Sequence, residues 1–164
     1  MFKSFHLLLA AFGLFALNAC QQPEPQYSGN PLFSEPFTAD PAVLVHNDTL
    51  YLFTGSDEQV EGRDGFVMHK WYVFSTADMV NWTNHGAVLS VEDFEWASHN
   101  AFAGHAVENH GKFWWYVPLV HKDPEARVHE GFAMGVAVAD HPAGPYKDPL
   151  GHPIIADTTE NSIV

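Results

Sequence analysis

Positive charge and cysteine are what this chain has least of. Seven Lys and Arg stand against twenty Asp and Glu in 164 residues, a net charge of −13. A surface that acidic repels phosphate backbones and anionic headgroups, which argues against nucleic acid as a partner. One cysteine, Cys20, excludes an internal disulfide framework and a multi-cysteine zinc site. No apolar run is longer than the eleven residues from Leu7 to Leu17, too short to span a bilayer comfortably. No segment carries a 3.6-residue apolar period, so amphipathic helices are not expected. Gly-rich phosphate loops, a G-x-S-x-G elbow and a Cys/His dyad are also missing. What is present in excess is aromatic: Phe, Trp and Tyr make up 14% of the chain, five of them Trp, while charged residues are only 16% and apolar ones 46%. That balance excludes a disordered acidic tail and predicts a packed core.

The first thirty residues read as an address and a spacer. Lys3 precedes the Leu7–Leu17 run, which ends in Leu17-Asn18-Ala19-Cys20. This is the pattern of a lipoprotein signal peptide over 1–19, with cleavage before Cys20 and acylation of that cysteine. Asn18 is less usual there than Ser, Ala or Thr, so a plain secretory leader is the alternative. Gln21 after the cysteine favours the outer membrane or cell surface of a Gram-negative bacterium, with a periplasmic or secreted protein as the other reading. The lipid is then the sole membrane contact. Residues 20–30, polar and with two prolines, form a flexible tether.

Past the tether the chain repeats. Ala42–Phe53 alternates apolar and polar residues, breaks at Asn47-Asp48 and returns in Tyr51-Leu52-Phe53, the mark of a β-hairpin. About 63 residues later His105–Tyr116 repeats this around His110-Gly111. Tyr72–Asp78 before Asn81-Trp82 is answered by Gly135–Asp140 before Gly144-Pro145-Tyr146, and His85–Leu89 by Gly151–Ile155. Short β-units at this spacing predict an all-β chain of propeller blades; a sandwich with chance-similar hairpins is the alternative. Blade one is expected over about 38–90, blade two over about 101–156, and the start of blade three over 157–164. Two blades cannot close a ring, so residues 31–164 are expected to be the N-terminal part of a longer propeller.

One acid stands out. Phe37-Thr38-Ala39-Asp40-Pro41-Ala42 puts a carboxylate directly before a proline where an inner strand opens. Pro41 has no N–H to donate, so it belongs at a strand's beginning. Inner strands of propellers line the central channel, so Asp40 faces its mouth, where an Asp can act as a general base or hold a metal. Equally, Asp-Pro is a common turn pair, and these residues alone leave both readings open.

These motifs together resemble glycoside hydrolase family 43. Asn30-Pro31, Ala39–Val43 and Thr49–Ser56 are similar to its first blade. Val73-Phe74-Ser75-Thr76-Ala77-Asp78-Met79-Val80-Asn81-Trp82 resembles its S-x-D-L-V-N-W signature. Ala101–His105, Gly111–Tyr116 and Val136–Tyr146 resemble the opening, return strand and end of its second blade. The resemblance implies a five-bladed β-propeller that removes arabinose or xylose from arabinan, arabinoxylan or xylan-derived oligosaccharides, with inversion at the anomeric carbon. Asp40 maps onto the general base. The pKa-tuning Asp and the general acid of the family map onto nothing here and are expected beyond Val164, so the fragment alone is expected to be inactive. An inverting pair stands roughly 6.5–9.5 Å apart to admit a water, and its two carboxyl groups need different environments.

Phe102 stands where the family has Trp and can stack on a sugar face. His105 either hydrogen-bonds sugar hydroxyls or is a satisfied core histidine. Trp71 and Trp96 fall in loop-like stretches, 62–71 and 90–100, and are further candidates for a sugar platform; Trp82, Trp114 and Trp115 read as packing residues. Asp57, Glu95 and Glu108 read as solvated charges rather than catalytic acids. His99, His105 and His110 lack an H-E-x-x-H setting, so no metal site is expected. No cofactor is identified, although the resemblance allows a structural calcium in the full-length protein. Two alternatives remain beside the glycosidase: a surface propeller that binds polysaccharide without cutting it, and a retaining fructan or sucrose enzyme. The latter usually shows Asn-Asp-Pro-Asn, and Ala39-Asp40-Pro41-Ala42 has neither Asn.

Overall fold

The computed structural model describes residues 31–62, 65, 67–122 and 131–156. The leader, Cys20, the tether and the expected start of blade three lie outside them. The described residues contain no α-helix; nine strands and one 3-10 turn account for the regular structure.

Blade one is a four-stranded antiparallel meander of β1 (Thr38–His46), β2 (Thr49–Asp57), β3 (Met68–Thr76) and β4 (Thr83–Ser90), in that order. Its first turn has Asn47 and Asp48 at φ of 47° and 57°, the two positive angles a tight hairpin needs, at residue types that tolerate them. The β3–β4 turn is built by one side chain. Asp78 Oδ1 accepts the backbone N–H groups of Val80 and Asn81 at 2.9 and 2.7 Å, and Oδ2 accepts the Asn81 amide at 2.7 Å. The Thr76 hydroxyl donates to Oδ1 at 3.1 Å. Those bonds hold the Asp78 carboxyl well below the usual carboxylate range, the Asn81 backbone N–H contributing most. The Asp78–Asn81 part of the signature is therefore a turn lock.

Blade two is β5 (Ala97–Ala101), β6 (His105–Asn109), β7 (Lys112–His121), β8 (Phe132–Ala139) and the short β9 (Ile155–Ala156). Here the inner strand is broken. β6 pairs with the first half of β7 and β5 with its second half, and residues 102–104 bridge the two. The stretch 90–100, expected as a loop, is instead a 3-10 turn (Val91–Asp93) followed by β5. Ser90 and Asp93 cap that turn reciprocally: the Ser90 hydroxyl accepts from Glu92 N–H and the Asp93 carboxylate from Ser90 N–H.

The two blades pack face to face. Phe53, Trp71 and Leu89 of blade one meet Trp115, Val117 and Leu119 of blade two, all at or below 1% exposed. Phe53 meets Trp115 edge-on with ring centres 4.8 Å apart, and Tyr146 closes on Trp115 at 5.2 Å. Each such side chain contributes roughly 1.5–3 kcal/mol or more of burial, which makes this seam the main source of cohesion. The other face of blade one is only partly covered: Phe33 stacks on Phe74 at 4.0 Å, while Val43 and Val45 are 55% and 68% exposed.

Candidate active site

Two contacts across the seam fix how the inner strands run. At the C-terminal ends of β1 and β6, His46 Nδ1 lies 2.9 Å from Glu108 Oε2. At the other end the Trp71 indole N–H donates to the Phe102 carbonyl at 3.0 Å, and Trp71 is on the same rung as Ala39 through Gly55. So β1 and β6 run in the same direction. Asp40, at the start of β1, shares an end of the seam with Phe102 and His105, at the start of β6.

Asp40 sits in a β-bulge. Ala39 pairs with Gly55 and Ala42 with Phe53, so β1 carries one extra residue there. Asp40 takes a φ of 52°, a left-handed conformation that costs a non-glycine residue free energy and is concentrated at functional positions. Pro41 follows and needs no ladder acceptor. The outcome is an exposed carboxylate on a rigid inner strand, re-aimed by the bulge.

The 102–104 bridge is clamped from three sides. Phe102 N–H donates to the Pro118 carbonyl at 3.2 Å, its carbonyl accepts from Trp71, and its half-buried ring packs at 5.3 Å against that of Phe132. A Cβ on Gly104 would lie 2.8 Å from Trp115 Nε1, the Tyr116 carbonyl oxygen and Val117 Cγ1, so only glycine fits. Asn100, just before the bridge, has a φ of 52° and lies where β5 shifts register against β7. His105 is exposed at the first position of β6. A rigid backbone thus presents a carboxylate, an aromatic ring and an imidazole at one end of the inner strands, a set that fits a hydroxyl-rich ligand and a general base.

Trp71 and Trp96 are not platforms. Trp71 is 0% exposed in β3, not in a loop, and Trp96 is 5% exposed. Trp96 donates its N–H to Asp148 at 3.1 Å and stacks on His121 at 5.7 Å. Both rings are consumed by the core, Trp71 from β3 and Trp96 from the turn before β5, which leaves no face for a sugar. Trp115 is buried as expected, while Trp114 is half-buried. Among the acids set aside, Asp57 and Glu95 are exposed and Glu108 is engaged with His46. Glu58 pairs with His69 at 3.1 Å.

A cavity of about 730 Å³ flanks the bulge on the side away from blade two, lined by Ala39, Pro41, Leu52, Thr54 and the Pro31–Ser34 segment among others. Asp40 itself does not line it. It is continuous with the open face of blade one and is better read as packing surface than as the catalytic cleft.

Comparison with known proteins gives this arrangement a context. The family model for glycosyl hydrolases family 43 matches residues 28–163. An arabinoxylan arabinofuranohydrolase of Paenibacillus polymyxa is 31% identical over 97% of this chain and 27% of its own length. Xylosidase/arabinosidase 43A of Humicola insolens is 36% identical over 71% of this chain and 36% of its own. Among solved structures, a β-xylosidase/α-arabinofuranosidase from a compost metagenome, in complex with xylotriose, superposes with a TM-score of 0.67 at 31% identity. It is covered over 37% of its length by 76% of this chain. The GH43_1 enzyme from Xanthomonas citri complexed with xylotriose gives a TM-score of 0.65 at 32% identity, with 76% and 34% covered. The chain therefore spans about a quarter to two fifths of the relatives it matches.

Proposed function

Since the chain belongs to glycosyl hydrolases family 43, with two successive blades of the family's β-propeller described, we propose that the protein it comes from is a glycosidase. It removes arabinose or xylose from arabinoxylan or xylan, with Asp40 as general base. The observation that carries the reading is the strained bulge that sets Asp40 beside the clamped 102–105 segment. In an inverting hydrolysis the base takes a proton from water as that water attacks the anomeric carbon. A protonated carboxyl gives a proton to the leaving oxygen. On this reading that acid comes from outside the described residues. The chain's own part is threefold: it holds the base, offers Phe102 to the sugar face, and offers the His105 imidazole to sugar hydroxyls.

The test is hydrolysis of nitrophenyl α-L-arabinofuranoside and nitrophenyl β-D-xyloside by the full-length protein and by its Asp40→Asn variant. The variant is expected to lose about 10²–10⁴-fold in kcat, the usual contribution of a general base. Its melting temperature should be level with or above wild type, because Asn accepts a positive φ as well as Asp does. Turnover by Asp40→Asn at the wild-type rate would overturn the base assignment. Absence of turnover by the wild type, with xylo-oligosaccharides still bound, would leave a binding propeller.

A further inference from the structure

We propose that Trp71, though buried in the core, is a positioning residue for this site: its indole N–H, donated across the seam to the Phe102 carbonyl, sets the 102–105 segment relative to Asp40. The inference rests on the functional reading above and names a residue that reading does not use.

Three observations meet at this side chain. First, Trp71 belongs to the rung next to the base. Ala39 pairs with Gly55 and Gly55 with Trp71, so any shift of Trp71 is felt at the bulge one residue from Ala39. Second, its ring cannot move independently. It is 0% exposed and wedged against Phe94 and Trp115 with ring centres 6.4 and 6.2 Å away. Third, its polar atom leaves its own blade. The N–H reaches Phe102 of blade two at 3.0 Å, while the same residue's backbone N–H is tied to Pro118 within blade two. Phe102 is thus fixed to both blades through its own backbone. A part-buried carbonyl deprived of its donor is costly and moves to find another partner. Loss of the Trp71 N–H therefore removes this backbone tie to blade one while leaving the blade-two tie intact. The ring of Phe102 and the imidazole of His105 then lose their fixed distance from Asp40. Displacement of sugar-contacting groups that act equally in ground and transition state raises KM and leaves kcat.

The experiment uses the full-length protein with Trp71→Phe, which keeps an aromatic ring in the core and removes the donor. Leu89→Ala is the control. Leu89 pairs with Trp71 on the neighbouring strand and is 1% exposed, so its truncation loosens the same core without touching the bridge. Both variants should melt below wild type. At a temperature where both are folded, Trp71→Phe should raise KM and the calorimetric Kd for xylotriose about tenfold, with kcat within about threefold of wild type. Leu89→Ala should leave KM and Kd unchanged. Equal changes in the two variants, or none in Trp71→Phe, would overturn the inference. Should Trp71→Phe not fold, benzothienylalanine at position 71, with sulfur in place of the N–H, gives the same comparison. The xylotriose Kd needs no turnover, so it judges Trp71 even where Asp40→Asn shows that the base assignment is wrong.

Discussion

His46 and Glu108 meet at 2.9 Å across the seam between the blades, at the end of the inner strands opposite Asp40. Side chains 26% and 39% exposed put this pair in largely screened surroundings, where such contacts are worth about 0.2–1 kcal/mol. Its role is to pin the far end of the seam, not to drive its formation. The edge of Phe113 against the His46 ring at 5.0 Å adds an apolar contact independent of charge.

A double-mutant cycle of His46→Ala and Glu108→Gln should therefore give a coupling of no more than about 1 kcal/mol in urea unfolding. A coupling well above that would show that the pair drives formation of the seam rather than pinning its far end.

Asp78 should matter for stability in a pH-dependent way. Its folded-state carboxyl is held below its ordinary value of 3.8 by the N–H groups of Asn81 and Val80. A depressed folded value means that the stabilisation is complete above that ordinary value and is lost as pH falls through the lower folded one. Asp78→Ala should lower the melting temperature at pH 7, and the gap to wild type should close as the pH is taken below 3.8. A gap that stays constant down to pH 2 would contradict the turn-lock account.

Gly104→Ala tests the bridge directly. The added methyl meets the Tyr116 carbonyl oxygen at 2.8 Å, and backbone cannot step aside as a flexible side chain does. Overpacking of this kind costs about 1–3 kcal/mol. Urea denaturation of the full-length protein should show that loss, together with weaker xylotriose binding. Unchanged stability would mean that the bridge is looser than its contacts imply.

Much of the fold is legible in the residues because its signals are local. Asn47-Asp48 and His110-Gly111 are turn residues by their own tolerance of positive φ, and the alternation of Ala42–Phe53 needs no partner to be read. The repeat exposes the blades because each blade solves the same packing problem. Trp71 and Trp96 carry no such local signal. Both sit in stretches without clean alternation, at Gly62–Trp71 and Ser90–Asn100, and both were expected on the surface. Bulges and the Ser90–Asp93 cap shift their register, and a register shift of one residue exchanges surface for core. Nothing local announces it.

The candidate site divides along the same line. The amino-acid order by itself determined that an acid precedes a proline at the opening of an inner strand, and that two small residues, Ala103 and Gly104, separate Phe102 from His105. The steric rule attached to Pro41 acts within a few residues and can be read in one dimension, whereas the demand for glycine at 104 comes from residues 115–117 on β7. Only the tertiary structure decided that Asp40 occupies a bulge at a positive φ, that it shares one end of the seam with Phe102 and His105, and that a buried tryptophan ties the two blades there. The bulge depends on the register of β1 against β2, and the shared end of the seam on contacts between residues 31 and 62 positions apart, chosen by the burial of the whole seam rather than by any segment's own preference.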